Sequence, residues 1–185
     1  MCSKKKASIA FKVLLGGMML NLFFGCATGT SLSPGAWVDE KDRIALEQGG
    51  PHKGSWQTRD LTIDYDYREA AKTLDINGAI KLAQYIPMGY STLDYLRIYI
   101  LFLNSGGVVL EVKNLQYFGY FRSIEFLGKM TFNSQFTLPE NTAAFAFSYS
   151  GKASQGGGSP MGNNGGGSGQ ISWDFWKVPR RSPPK

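Results

Sequence analysis

Residues 61–67, which read Leu-Thr-Ile-Asp-Tyr-Asp-Tyr, alternate apolar and polar side chains with a period of two. Successive side chains of a β-strand point to opposite faces, so this alternation predicts a strand with one buried face. The apolar side chains expected on that face are Leu61, Ile63, Tyr65 and Tyr67. Residues 74–82 repeat the pattern, with Leu74, Ile76, Gly78, Ile80 and Leu82 in phase.

Further strands are predicted at residues 95–103, 108–112, 118–126, 130–136, 142–149 and 171–178. The Asn-Ser-Gly-Gly sequence at 104–107 predicts a hairpin turn between two of them, and the Leu-Pro-Glu-Asn sequence at 138–141 predicts another turn. Seven or eight short strands separated by turn signals predict an all-β chain, arranged as a β-sandwich over residues 56–178.

Three segments lie outside this strand pattern. Residues 36–48 predict a short helix that ends at Gly49, Gly50 and Pro51. Residues 26–55 are therefore expected to form a tether that contains this helix. The glycine-rich residues 151–170 predict a mobile loop, and the basic, proline-rich residues 179–185 predict a solvated tail.

The N-terminus has the three zones of a secretory signal: lysines at 4–6, an apolar run at 13–24, and Gly25 before Cys26. The apolar run is shorter than the roughly 20 residues of a membrane-spanning helix, which favours cleavage. The sequence Leu-Phe-Phe-Gly-Cys at 22–26 resembles the lipobox of bacterial lipoproteins. The alternative is an ordinary signal peptide in which Cys26 has no role.

The lipobox resemblance implies cleavage between Gly25 and Cys26, acylation of Cys26, and a lipid bilayer as the partner of the mature chain. Several acyl chains together anchor a protein stably, because each buried methylene contributes about 0.8 kcal/mol. By resemblance to lipoprotein sorting, Ala27 in place of aspartate implies the outer membrane, with the domain in the periplasm or on the outer face.

The positive charge of the chain belongs largely to this signal. The full sequence carries a formal charge of +6, but four of its lysines precede Cys26 and no acidic residue does. The mature chain is therefore only +2. This excludes the strongly basic footprint that nucleic-acid binding requires, and no nucleic-acid partner is expected.

A second resemblance concerns the fold. The residues that carry it are Asp-Ile-Asn-Gly-Ala-Ile at 75–80, Leu-Asn-Ser-Gly-Gly-Val-Val at 103–109, and Leu-Pro-Glu-Asn-Thr-Ala-Ala-Phe-Ala-Phe at 138–147. They are similar to the hairpins and turns of small immunoglobulin-like domains in bacterial envelope proteins. The resemblance implies an immunoglobulin-like sandwich and no particular activity, because such scaffolds host many functions.

Residues suited to catalysis are few. Cys26 is the only cysteine after the signal, and His52 is the only histidine of the chain, in a Gly-Gly-Pro-His-Lys-Gly stretch that suggests a turn. His52 is interpreted as a surface residue or a general base. Asp64 and Asp66 are expected on the same strand face. They are interpreted either as part of a solvated surface or as calcium ligands. We predict no catalytic residue, no metal and no cofactor.

Aromatic residues are more abundant, and they allow two interpretations. They form the core of the sandwich, or some of them form a surface on which sugar rings stack. The candidate binding surface consists of Tyr117, Tyr120, Trp173 and Trp176. In the last strand, Trp173 and Phe175 are expected on one face and Trp176 on the other.

These features predict a non-catalytic interaction or structural component of the cell envelope, with an envelope protein as its partner. A carbohydrate-binding module with a glycan ligand is the alternative, and a hydrolase is less favoured.

Overall fold

The computed structural model describes residues 32–124, 130–155 and 172–181, and strands dominate this part of the chain. A five-residue helix, α1 (Tyr85–Gly89), lies between the fourth and fifth strands. The strands are β1 (Ile44–Ala45), β2 (Gly49–Gln57), β3 (Leu61–Ala70), β4 (Thr73–Leu82), β5 (Thr92–Leu103), β6 (Val109–Ser123), β7 (Met130–Thr137), β8 (Ala144–Ser154) and β9 (Ser172–Lys177).

The strands form two antiparallel sheets, which confirms the prediction of an all-β sandwich. One sheet has the order β2-β3-β4-β7, and the other has the order β1-β8-β5-β6 with β9 also paired to β8. The nine strands within the described residues exceed the predicted seven or eight. Residues 108–112 and 118–126, predicted as separate strands, largely belong to the single long strand β6, whereas β1 and β2 were not predicted.

The main hydrophobic core lies between the sheets, where the period-two pattern places it. Leu61, Ile63 and Tyr67 of β3 are buried. The rings of β3 meet those of β8 edge to face, with centroids 5.2 Å apart for Tyr67 and Phe145 and 5.3 Å apart for Tyr65 and Phe147. Edge-to-face contacts of this kind stabilise a core beyond the burial of area alone.

A second, smaller core lies on the outer face of the β8-β5-β6 sheet, where the N-terminal segment crosses it. Its buried members are Ala36, Val38, Leu101, Leu103, Val109, Ala144 and Ala146. The chain ends of the described part are joined here, because Trp37 and Arg180 exchange backbone hydrogen bonds of 2.7 and 2.8 Å. Ion pairs of Lys177 with Asp42 and of Arg180 with Asp39 add to this junction.

This arrangement corrects the prediction of a helix over 36–48 and of a tether that reaches residue 55. The segment contains only a 3₁₀ turn at Glu40–Asp42, and β1 then pairs with β8. A helix of this length is marginal by itself, and burial of Ala36 and Val38 on the sheet favours the extended chain. Gly49–Gln57 forms β2 rather than a helix stop, so the domain begins well before residue 56.

The predictions for the tail and the glycine-rich loop are corrected in part. Arg180 is bonded to Trp37, so the tail is not wholly solvated; residues 182–185 lie outside the described residues. Gly151 belongs to β8, as do the three residues that follow it, while residues 156–171 lie outside the described part.

The two predicted turns are confirmed. The side-chain oxygen of Asn104 accepts hydrogen bonds of 3.0 Å from the backbone N–H groups of Gly106 and Val108. Gly107 has a φ of +82°, a conformation that favours glycine, and β5 and β6 pair antiparallel on either side. In the turn at 138–141, Asn141 adopts a φ of +63°.

Gly78 has a steric role in β4. A Cβ atom at Gly78 would lie 2.4 Å from the backbone oxygen of Asp64 and 2.7 Å from the ring of Phe132. We expect Gly78→Ala to lower the free energy of unfolding by about 2 kcal/mol because the core must shift to admit the methyl group. Gly50→Ala is the control, since nothing lies within 4 Å of its added Cβ. Equal urea midpoints for the two variants would contradict this expectation.

Candidate functional site

The part of the β9-β8-β5-β6 face that the N-terminal segment leaves uncovered carries a row of four residues on four neighbouring strands. Tyr117 pairs with Arg97, Arg97 pairs with Ser150, and Ser150 pairs with Trp176. Directly paired residues point to the same side of a sheet. Side chains that are distant in sequence therefore stand in one line on the outer face.

The aromatic residues at the two ends of this row are among the most exposed large apolar side chains of the described chain. Trp176 is 59% exposed and Tyr117 is 42% exposed. Neighbouring strands are about 4.8 Å apart, so three strand spacings separate the two Cα positions by about 14 Å. The row is wide enough to contact an extended ligand or a surface.

Arg97 lies between two tyrosines. Its guanidinium carbon is 5.2 Å from the ring centroid of Tyr117 and 5.9 Å from that of Tyr95. A Cβ atom at Gly119 would approach the hydroxyl oxygen of Tyr117, which shows that the Tyr117 ring extends over this glycine. Hydrogen bonding to Tyr99 is the main cause that raises the pKa of Arg97, so the row has a permanent cation.

A second row continues the face. Gly119, Tyr95, Lys152 and Asp174 pair in that order across the same four strands. Beside it lies a groove of ≈ 440 Å³ whose lining includes Leu32, Tyr95 and Trp176. We call the residues Tyr95, Arg97, Tyr117, Lys152 and Trp176 the aromatic face.

The outer face of the opposite sheet has a different chemistry. Asp64 accepts hydrogen bonds from Lys81 (2.7 Å) and Ser55 (2.8 Å), which hold its pKa below the usual range. Asp66 accepts a bond of 2.7 Å from Asn77. These carboxylates lie on a solvated strand face, as one of the two interpretations expected. No group of three or more His, Cys, Asp or Glu side chains in the described ranges is arranged to hold a metal ion.

The structure separates the residues of the predicted aromatic surface. Tyr117 and Trp176 share the aromatic face, whereas Trp173 packs against the main core on the other side of β9. Trp173 is therefore not on the same face as Trp176, in agreement with the predicted alternation of Trp173 and Phe175 against Trp176, and Phe175 is 1% exposed. The side chain of Tyr120 and all of Cys26 and Gly25 lie outside the described residues.

His52 lies in β2 and not in a turn. Its ring stacks on that of Tyr67 at 5.1 Å, and its Nδ1 is 3.3 Å from a carboxylate oxygen of Glu47. The pairing of β2 with β3 is irregular between Gly49 and His52, but the segment is strand throughout, and His52 stands opposite Tyr67. The histidine is therefore held in a packing contact at the edge of a sheet.

The sequence reasoning missed a buried carboxylate at one end of the sandwich. Asp60, with a side chain only 4% exposed, accepts hydrogen bonds from Tyr149 (2.6 Å), Tyr85 (2.5 Å) and Arg59 (3.0 Å). Burial acts to raise the pKa of Asp60, but the bonds from the two tyrosines and the arginine outweigh it and lower that pKa. An aspartate in the short turn between two strands was the available signal.

The Asp60 cluster has little chemistry to offer a substrate. Both carboxylate oxygens accept hydrogen bonds from protein donors, and the pKa of Tyr149 is raised well above its usual value, chiefly by burial. A general base needs a free acceptor within reach of a substrate proton. The hydrogen bonds of Asp60 therefore connect the β2-β3 turn to α1 and β8.

Comparisons of this chain with protein-family models, with curated proteins and with solved structures found no match. Within the described ranges, none of the helices is long and apolar enough to cross a membrane.

Proposed function

We propose that the protein is a lipid-anchored, non-catalytic binding component of a bacterial cell envelope, cut before Cys26 and held on a membrane by acylation of that cysteine. The proposal of the anchor rests on the sequence at 22–26. The proposal of binding without catalysis rests on one observation: the aromatic face presents exposed contact residues, while Asp60 is held by hydrogen bonds and His52 stacks on Tyr67.

The anchor is tested by the variant Cys26→Ser. Because serine has no thiol to accept an acyl chain, we expect the variant to incorporate no clickable palmitate and to leave the membrane fraction after export. Cys2→Ser is the matched control, since Cys2 belongs to the signal, and it should label normally. Equal labelling of the Cys26→Ser variant and the unaltered protein would contradict the lipoprotein proposal.

An immunoglobulin-like topology is part of this proposal. In that fold the second and fifth strands pair in one sheet, and the third and sixth pair in the other. If β3 is taken as the first strand, the pairs β4-β7 and β5-β8 have this relation. The additional strands β1 and β2 then extend the two sheets.

A carbohydrate-binding module is the second candidate, favoured by the row from Tyr117 to Trp176. Two exposed rings on residues whose Cα positions are about 14 Å apart, with Arg97 and Ser150 between them, offer stacking surfaces and hydrogen-bond donors to a glycan chain. Binding to a glycan array that is lost in both Tyr117→Ala and Trp176→Ala would favour this function over protein binding.

A further inference from the structure

The chain enters the domain beside the aromatic face. Leu32 is the first described residue, and it lines the same groove as Tyr95 and Trp176. Cys26 lies six residues before Leu32, and six residues span at most about 21 Å when fully extended. A lipid on Cys26 would therefore hold this face, rather than the opposite one, close to the bilayer.

The side chains of the aromatic face suit the region of lipid headgroups. Trp and Tyr have an apolar ring with a polar edge, and they are enriched where membrane meets water. Arg and Lys place their apolar stems along such a surface while the charged group stays in the headgroup layer. The aromatic face combines both kinds of residue on one side of a sheet: Trp176, Tyr117, Arg97 and Lys152.

The aromatic face supplies two cations to a lipid surface. Arg97 stands near its centre and Lys152 on the neighbouring strand, with Asp174 opposite Lys152. The outer face of the other sheet carries as many cations as carboxylates, because Lys53 stands opposite Asp66, Arg68 stands opposite Asp75, and Lys81 bonds to Asp64. The orientation therefore rests on the tether and the exposed rings, and Arg97 and Lys152 add attraction to lipid phosphates.

We infer that the aromatic face contacts the surface of an anionic phospholipid bilayer, so that the acyl chains of Cys26 and the rings of Trp176 and Tyr117 dock the domain at two points. This inference rests on the acylation of Cys26 proposed above. It assigns the domain an orientation in which the outer face of the β2-β3-β4-β7 sheet points away from the lipid.

The test uses the acylated protein in vesicles of phosphatidylethanolamine and phosphatidylglycerol with bromine atoms near the headgroups, which quench tryptophan at short range. We expect quenching of the fluorescence that the variant Trp176→Phe removes. The matched control places a new tryptophan on the opposite face, as Asn133→Trp in the Trp176→Phe background. Asn133 is exposed on β7, and its tryptophan should not be quenched.

A second variant tests the role of charge without removing the reporter. Arg97→Glu replaces the cation at the centre of the row, and we expect it to reduce the quenching of Trp176 while the protein still floats with the vesicles through its lipid. Unchanged quenching in this variant would overturn the electrostatic part of the inference.

The outcomes separate this inference from the proposed function. If the protein carries lipid and floats with the vesicles but Trp176 is not quenched, the docking inference is overturned and the lipoprotein proposal stands. If Cys26 carries no lipid, both are overturned. If Trp176 is unquenched and is instead required for binding to a glycan array, the face is a glycan platform and not a membrane contact.

Discussion

Replacing Asp60 by alanine is expected to lower the free energy of unfolding by about 3 kcal/mol. The buried carboxylate accepts hydrogen bonds from Tyr149, which is 1% exposed, and from Tyr85, which is 38% exposed. Its removal breaks both bonds, and a hydrogen bond to a charged group contributes about 1.5–3 kcal/mol, with the larger loss expected at the buried Tyr149. Tyr149 retains a bond of 3.0 Å to the Thr58 hydroxyl, which limits the loss.

Asp64→Ala is the matched control for this prediction. Asp64 is also an aspartate with an ion pair, but its side chain is 42% exposed, and such surface pairs contribute about 0–1 kcal/mol. Urea denaturation of both variants at neutral pH measures the difference. A loss for Asp60→Ala no larger than that for Asp64→Ala would show that the buried cluster does not hold the turn to the sandwich.

The same carboxylate should make stability depend on pH in acid. Its pKa is lower in the folded than in the unfolded chain, so the unfolded state binds more protons between the two values. The contribution of Asp60 is therefore complete above the unfolded pKa of about 3.9 and is lost as the pH falls through the folded pKa. We expect the difference in free energy of unfolding between the unaltered protein and Asp60→Asn to become smaller as the pH falls from about 3.9 through the folded pKa. Urea denaturation at a series of acidic pH values measures this difference.

Phe175→Ala is expected to lower the free energy of unfolding by about 4 kcal/mol, the cost typical of a truncated core ring. Phe175 is 1% exposed, it contacts the ring of Tyr149 at 6.2 Å, and it covers the backbone of Gly151. The cavity would open where β9 closes one end of the core. Within the described residues, β9 pairs with a single strand, β8, so packing of Phe175 is a large part of what holds it to the core.

The neighbouring variant Trp176→Ala is the control, because Trp176 lies on the outer face of the same strand. The Trp176→Ala substitution should change the free energy of unfolding by no more than about 0.5 kcal/mol, although it removes the fluorescent tryptophan from the aromatic face. Thermal or chemical unfolding of the two variants separates the roles of adjacent residues. Similar losses for both would mean that Trp176 is covered by another part of the chain and is not available to bind.

The local features of this protein could be predicted from its sequence. Alternation in residues 61–67 and 74–82 predicted both β3 and β4 and their buried faces, because side-chain direction in a strand depends only on position along it. The turns at 104–107 and 138–141 were also predictable, since asparagine and glycine favour particular turn conformations. The placement of Phe175 and Trp176 on opposite faces of β9 also followed from the alternation of side chains along a strand.

The pairing of strands that are distant in sequence could not be predicted from local patterns. The extended path of residues 36–48 depends on burial against β5 and β8, which no local pattern encodes, and so a helix was wrongly predicted there. Asp60 likewise accepts its buried hydrogen bond from Tyr149, which lies 89 residues away in the sequence. The line from Tyr117 through Arg97 and Ser150 to Trp176 exists because β6, β5, β8 and β9 pair in one register. Register is a property of long-range pairing, since a shift of one residue would turn each of these side chains to the other face.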